Sequence, residues 1–242
     1  MTPPPTLPLD IHVVVVGQSI PLTHTTTYFV LRSVCVCLWP RIKALKTLIV
    51  IFTCPKYAER RTAVSDTWLT LVPNDVDALF ADEPCSYAEL PQKTYQTVRY
   101  ATACGYDVLV KVDDDTFLLP LPAYIAEFAK HDCLCHVRAP HGDRYPQGGC
   151  YSLNRRAMRA VLAHPELFTT GLEDAAVGKA LDAGGIALTH TERIKTTVLF
   201  GHPATWNNII AAHCCPPNEM RNIFNRFSEI GRAGQMLKQG RK

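Results

Sequence analysis

The sequence predicts an α/β sandwich, with a mostly parallel central sheet flanked by helices. Three observations predict it. Short apolar runs at residues 47–52 and 108–112 lack polar alternation, as strands covered on both faces do. Stretches with helical spacing of apolar side chains lie between such runs, so strands and helices alternate. The run at 108–112 ends in Asp113-Asp114-Asp115, three acids where an open α/β sheet places its ligand crevice.

Taken in order, residues 1–10 are rich in Pro and are expected to be disordered. Residues 11–45 form an N-terminal extension with no assigned structure. A strand at 47–52 closes at Cys54-Pro55. A helix over 58–71 follows, with Ala63, Trp68 and Leu71 spaced for one apolar face, ended by Pro73-Asn74. A strand at 76–81 leads to a helix over 90–104, with Gly105 at its C-terminal cap. After the acidic strand, Pro120 and Pro122 open a helix to about residue 130, and 133–137 is a strand. Residues 141–149, rich in Gly and Pro, read as a loop before a short strand at 150–153 and a helix at 154–162. Residues 173–181 are helical up to Gly184-Gly185. Short strands follow at 186–189 and 209–212. The last helix covers 218–230, with Met220, Ile223, Phe224 and Phe227 on one face. Residues 46–230 thus form one domain, and 231–242 a basic tail.

The chain of 242 residues is 47% apolar and 19% charged, which describes a globular domain with a sizeable core. A net charge of +3 is too small to argue for nucleic acid as a partner. Ten cysteines favour an oxidising compartment. Cys133 and Cys135 share one side of a strand, too far apart for an easy mutual bridge. His131, His136 and His213 with Cys214-Cys215 could mark a zinc site, but no CxxC pair supports it. The apolar runs at 11–16 and 28–39 are shorter than the roughly 20 residues that span a bilayer. No basic segment opens the chain, so there is no clear signal peptide or transmembrane helix. Membrane association would run through a weak anchor over 11–39; a core strand is the alternative.

Three adjacent carboxylates repel one another, and a cation relieves that repulsion. Hard oxygen ligands suit Mn²⁺ or Mg²⁺. A solvated acidic turn is the alternative reading of the triplet.

Several stretches together resemble the β-1,3-galactosyltransferase-like enzymes, glycosyltransferase family 31. They are Arg61-Thr62-Ala63-Val64-Ser65-Asp66-Thr67-Trp68; Tyr87, Leu90, Lys93 and Thr94; Lys111 to Phe117 with its acids; Tyr145-Pro146 with Gly148-Gly149-Cys150-Tyr151; Leu172-Glu173-Asp174 to Gly178; and His213 with Pro217, Glu219 and Met220. They come in the family's order and cover residues 47–230. The resemblance implies a GT-A fold and an inverting, metal-dependent hexosyltransferase. Its substrates would be a UDP-sugar donor, galactose or N-acetylglucosamine, and a glycan acceptor, joined in β-1,3 linkage. It also implies Mn²⁺ (Mg²⁺ as the alternative) and a Golgi lumen or membrane location. Oligomeric state is left open.

Roles follow from the residues' own chemistry within this resemblance, which itself points to Asp174 as the base. Asp115 would contact the metal, with His213 as second ligand and His202 as fallback. Asp113 and Asp114 would reach the ribose, or the metal through water. Arg61 is a candidate diphosphate or uracil contact, with Arg60 on the surface; Lys111 is a diphosphate contact or a solvent-facing lysine. Asp174 would be the base that takes the acceptor proton, with Glu173 orienting a backbone amide or the acceptor. Gly148 and Gly149 would let backbone approach a sugar ring, and Tyr151 would stack on it or lie buried. Ser65 departs from the family's usual Arg, Cys85 from a common acid, and the Tyr145 segment is short; these changes touch the donor and acceptor edges. Two alternatives stand beside this reading. One is an inactive relative that binds a glycan or a partner. The other is a haloacid-dehalogenase-like phosphatase, whose Asp-x-Asp-x-Thr signature Asp113 to Thr116 satisfies, although that motif usually ends a first strand.

Overall fold

The computed structural model describes residues 45–197 and 208–239. The expectations for residues 1–44, the weak anchor among them, and the fallback ligand His202 lie outside these. Among the described residues no helix is long and apolar enough to cross a membrane.

The first half alternates as the sequence predicts: β1 (Thr47–Phe52), α1 (Ala58–Asp66), β2 (Val76–Ala81), α2 (Leu90–Ala103) and β3 (Val108–Asp113). β1 pairs in parallel with β2 and with β3. α1 is shorter than its apolar spacing predicts. Thr67 turns its hydroxyl onto the Ala63 carbonyl at 2.5 Å, taking the acceptor that its own amide would use in a continued helix. The chain then makes only a 3₁₀ turn, Trp68–Leu71, which seats Trp68 in the core with no exposure. At the end of α2, Gly105 takes a left-handed φ of +73° and turns the chain into β3.

The second half is β4 (Phe117–Leu118), α3 (Pro122–Phe128), β5 (Cys133–Arg138), β6 (Tyr145–Asn154), α4 (Arg155–Ala163), α5 (Glu173–Ala183), β7 (Leu188–His190), β8 (Ile194–Lys195), β9 (Ala211–Ala212) and α6 (Pro217–Gln239). The main sheet runs β2-β1-β3-β6-β5-β7, and β6 is antiparallel to both of its neighbours. The expected loop at 141–149 is therefore largely strand. Tyr145 and Pro146 pair with Arg138 and Val137 across a register shift in β5, so sheet pairing overrides the local Gly and Pro signals. Asn154 caps α4 by accepting from the amides of Arg156 and Ala157.

Side-chain alternation divides the core in two. Ile49, Ile51, Val108, Val110 and Val112 face one side, with Trp68 and with Met220 and Ile223 of α6. Leu48, Val50, Phe52 and Leu109 face the other, against α2, α4 and α5. A small second sheet, β4-β9-β8, lies beside the first. Its β4–β9 pairing sets Phe117 opposite Ala212 and so brings the segment after the acidic strand against the last part of the chain before α6. Cys54 and Cys85, each just past a parallel strand, form a disulfide; Cys133 and Cys135 are buried free thiols.

Candidate active site

The cleft opens where β1 and β3 end. It has a volume of about 410 Å³ and is lined by residues from these strand ends, the start of α1, β6, the start of α5 and the segment after β9. Asp113, Asp114, Asp115, Lys111, Gly148, Gly149, Glu173, Asp174 and His213 all line it. Residues spread over more than 100 positions of sequence thus meet at one sheet edge.

The pairing of β4 with β9 explains why Asp115 and His213 meet. Each lies just outside the paired residues, Asp115 before β4 and His213 after β9. The Cys215 amide donates to the Asp115 carbonyl at 2.7 Å and locks the two segments. His213 Nε2 then lies 3.1 Å from Asp115 Oδ1 and 3.7 Å from Asp113 Oδ2. One oxygen from each aspartate and one imidazole nitrogen fall within 4.8 Å of one another. Two carboxylates and an imidazole suit Mn²⁺ by donor type. Burial works to raise the Asp115 carboxyl, but His213 and the Arg60 guanidinium outweigh it and hold it below its ordinary value. Asp114 is buried and turned aside, accepting from Thr53 Oγ1 at 2.7 Å and from Arg60 at 3.2 Å. Burial leaves its carboxyl raised despite these partners.

Arg60, read from sequence as a surface residue, bridges Asp114 and Asp115 at 3.2 Å to each and lines the cleft. Arg61 does not reach it: its guanidinium pairs with Asp82 and lies 4.5 Å over the Phe80 ring. Successive residues on a helix point about 100° apart, so only one of the two can face the carboxylates. Lys111 is 3% exposed and so is no solvent-facing lysine. Alternation along β3 puts it among Phe52, Tyr151 and Glu173. Its ammonium donates to Asp113 Oδ1 at 2.6 Å and to the Gly148 carbonyl. Burial opposes that charge, but Asp113 and Glu173 prevail and hold its pKa above the ordinary value.

The opposite wall is the N-terminus of α5. Glu173 is buried and accepts from Thr94 Oγ1 at 3.0 Å and from the Tyr151 hydroxyl. Tyr151 itself is fully buried and does not line the cleft. It cannot stack on a ligand there; its hydroxyl holds Glu173. Asp174 is half-buried, and its Oδ1 accepts from the Ala175 amide at 2.9 Å. Burial raises its carboxyl above the ordinary aspartate value, against the opposing pull of that amide and Lys111. A carboxylate raised in this way, open to a cleft, is poised to accept a proton.

The two glycines differ. A Cβ at Gly148 would meet Glu173 Oε2 at 3.4 Å and Asp174 Oδ2 at 3.6 Å, ordinary contacts. A Cβ at Gly149 would stand 2.4 Å from His213 Cγ. Gly149 therefore makes room for the imidazole, a nearer partner than any sugar ring. Sequence reasoning gave no role to two other lining residues. Lys93 donates to the Thr53 carbonyl at 2.9 Å and the Pro84 carbonyl at 3.3 Å, and burial lowers its pKa to about 8. Gln147 meets His213 Nδ1 at 2.7 Å. Lys93 stands in a recognised motif; no local signal marks Gln147.

His136, His190 and Glu192 form a second group of three within metal-binding reach. There His190 Nδ1 accepts from the Val137 amide at 3.1 Å, so its proton sits on Nε2, 2.8 Å from Glu192. That tautomer has no lone pair to offer on Nε2, and the group is a histidine–carboxylate hydrogen bond.

No family model matches the chain, and no curated protein matches it. Solved glycosyltransferases do match in structure. One is involved in glycosylating the major capsid of PBCV-1; it is 14% identical, covers 75% of this chain and 99% of its own, and gives a TM-score of 0.50. A mutant of the glycosyltransferase LgtC is 11% identical over 70% of this chain and 88% of its own, with a TM-score of 0.43. A mutant Drosophila β-1,4-galactosyltransferase 7, solved with manganese, UDP-Gal and xylobiose, is 13% identical over 72% of this chain and 73% of its own, with a TM-score of 0.42. At these identities what is shared is the fold, a GT-A-type α/β sandwich with a mostly parallel sheet.

Proposed function

We propose that the protein is a metal-dependent, inverting hexosyltransferase. It takes a UDP-sugar donor and moves galactose, or alternatively N-acetylglucosamine, to a glycan hydroxyl in β-1,3 linkage. One observation carries the reading: Asp113, Asp115 and His213 converge on one wall of a cleft whose other wall presents Asp174. Sugar and linkage follow the family resemblance, with galactose ahead because it is the commoner donor there. We further propose that the chain works in the Golgi lumen or at its membrane. The Cys54–Cys85 disulfide supports an oxidising compartment.

In this mechanism Asp115 and His213 would hold a divalent cation, Mn²⁺ ahead of Mg²⁺, with Asp113 beside them. When bound, it would supply positive charge against the departing diphosphate. Arg60 is already within 3.2 Å of Asp115 and gives the phosphates a guanidinium fork. Lys111 pins Asp113 and the Gly148 carbonyl, fixing the floor on which the sugar lies. Asp174 accepts the acceptor hydroxyl's proton as that oxygen attacks the anomeric carbon. Glu173, tied to Thr94 and Tyr151, holds the start of α5 in place.

Calorimetry with UDP and Mn²⁺, run beside a donor screen for sugar transfer, tests this. UDP binds only with Mn²⁺ present, and Asp115→Ala loses UDP retention. Metal-independent UDP binding would remove the metal assignment. Binding without release of sugar from any donor would favour the inactive relative instead.

A further inference from the structure

The two nitrogens of His213 face different partners. Nε2 faces Asp115 and Asp113 at 3.1 and 3.7 Å; Nδ1 faces Gln147 Nε2 at 2.7 Å, with Cys214 Sγ at 3.5 Å. An amide nitrogen only donates. Nδ1 is therefore bare in this arrangement, and the ring proton sits on Nε2, toward the carboxylates. That tautomer cannot bind a cation through Nε2. Gln147 is 9% exposed, and its carbonyl oxygen Oε1 is buried with no partner among the described residues. A buried polar atom left unpaired is costly, so its presence here calls for a reason.

We propose that Gln147 is the positioning residue for His213, its amide turning over when a divalent cation takes Nε2. This rests on the reading of Asp113, Asp115 and His213 as a metal site. The N–H bond at Nε2 breaks and one forms at Nδ1, so the proton changes nitrogen within the ring. Nδ1–H then needs an acceptor. A half-turn of the Gln147 amide brings Oε1 to the place its nitrogen now holds. On one side the imidazole lies so close to Gly149 that even a Cβ there would stand 2.4 Å from Cγ and 2.6 Å from Cδ2. A side chain that can donate to one tautomer and accept from the other suits a site that must exist both with and without its cation. Metal-binding histidines generally depend on such an outer acceptor.

The test is Mn²⁺ affinity without donor, read by electron paramagnetic resonance of free Mn²⁺, with thermal melts to confirm folding. Gln147→Leu weakens Mn²⁺ binding by about 10- to 100-fold. Gln147→Glu, which can only accept, restores affinity to the wild-type level or better; a merely space-filling role would leave Glu as poor as Leu. In a His213→Ala background the advantage of Glu over Leu disappears, which separates hydrogen bonding from added charge. Cys214→Ala leaves affinity unchanged. Should Gln147→Leu fail to fold, Gln147→Met takes its place. Wild-type affinity in the apolar variant while His213→Ala is weakened would overturn the role of Gln147 alone. Wild-type affinity in His213→Ala would overturn the metal assignment and this inference with it.

Discussion

Gly149→Ala is the smallest change that tests the construction of the cleft. The new methyl would lie 2.4 Å from His213 Cγ, 2.6 Å from Cδ2 and 2.7 Å from Cβ, whereas ordinary contact begins at 3.4 Å. The ring must therefore retreat by about 1 Å, or the strand must yield by the same distance. Metal ligands tolerate about 0.2 Å. A retreat of that size takes Nε2 out of register with Asp115 and removes one of three ligands. Overpacking of this kind costs about 1–3 kcal/mol of stability. The expected result is a lower melting temperature and a loss of Mn²⁺ affinity close to that of His213→Ala.

Gly148→Ala is the control, since its methyl meets only ordinary contacts at 3.4 and 3.6 Å. It keeps Mn²⁺ affinity. A second control is the His213→Gly background, where the three nearest clashing atoms are gone and Gly149→Ala no longer destabilises; only the ordinary stabilising backbone effect of Gly to Ala, about 0.4–1 kcal/mol, remains. If Gly149→Ala binds Mn²⁺ and melts like the wild type, the ring is not held where the structure places it, and the argument for a fixed imidazole fails.

Two further outcomes are expected. Burial raises the Asp174 carboxyl, so transfer falls off on the acid side above the ordinary aspartate value of 3.8, as the base becomes protonated. Asp174→Asn keeps UDP binding but slows transfer by about 10²- to 10⁴-fold and abolishes that limb; unchanged transfer would remove Asp174 as the base. Lys93 has the opposite sense. Its pKa falls from 10.5 to about 8 on folding, so between these values the unfolded chain binds more protons and this group's contribution to stability rises with pH. Lys93→Met flattens that rise in urea midpoints measured from pH 8 to 10; an unaltered slope would show that Lys93 does not titrate there.

The parts of the fold legible in the sequence were those fixed by local pattern. The apolar run of β1 is buried at all six positions, and no alternation was needed to find it. The acidic triplet announced the sheet edge in the same way. What escaped was decided by pairing between distant segments. Tyr145 to Gly149 carries turn chemistry, and only its partners in β5 make it a strand. Arg60 and Arg61 are indistinguishable in a polar helix start until the rotation of α1 is known. Gln147 belongs to no motif; its position becomes meaningful only when β9 brings His213 against it. Tyr151 shows a choice that sequence leaves open: an aromatic beside two glycines can stack on a ligand or lie buried, and strand alternation turns it under Glu173.

Charge balance in the cleft argues for the order in which its occupants arrive. Five acids line it, Asp113, Asp114, Asp115, Glu173 and Asp174, against four bases, Lys56, Arg60, Lys93 and Lys111. Arg60 and His213 already occupy the faces of Asp114 and Asp115. A pyrophosphate entering alone would add negative charge beside carboxylates whose partners are committed. With a divalent cation held by Asp115 and His213, the His213 proton would sit on Nδ1 and Arg60 would be released from the carboxylates toward phosphate. The cation and the doubly charged pyrophosphate then offset each other, and the cleft returns to its starting balance. On the proposed function the metal would precede the nucleotide, and Arg60 would pass from carboxylate to phosphate as the donor seats.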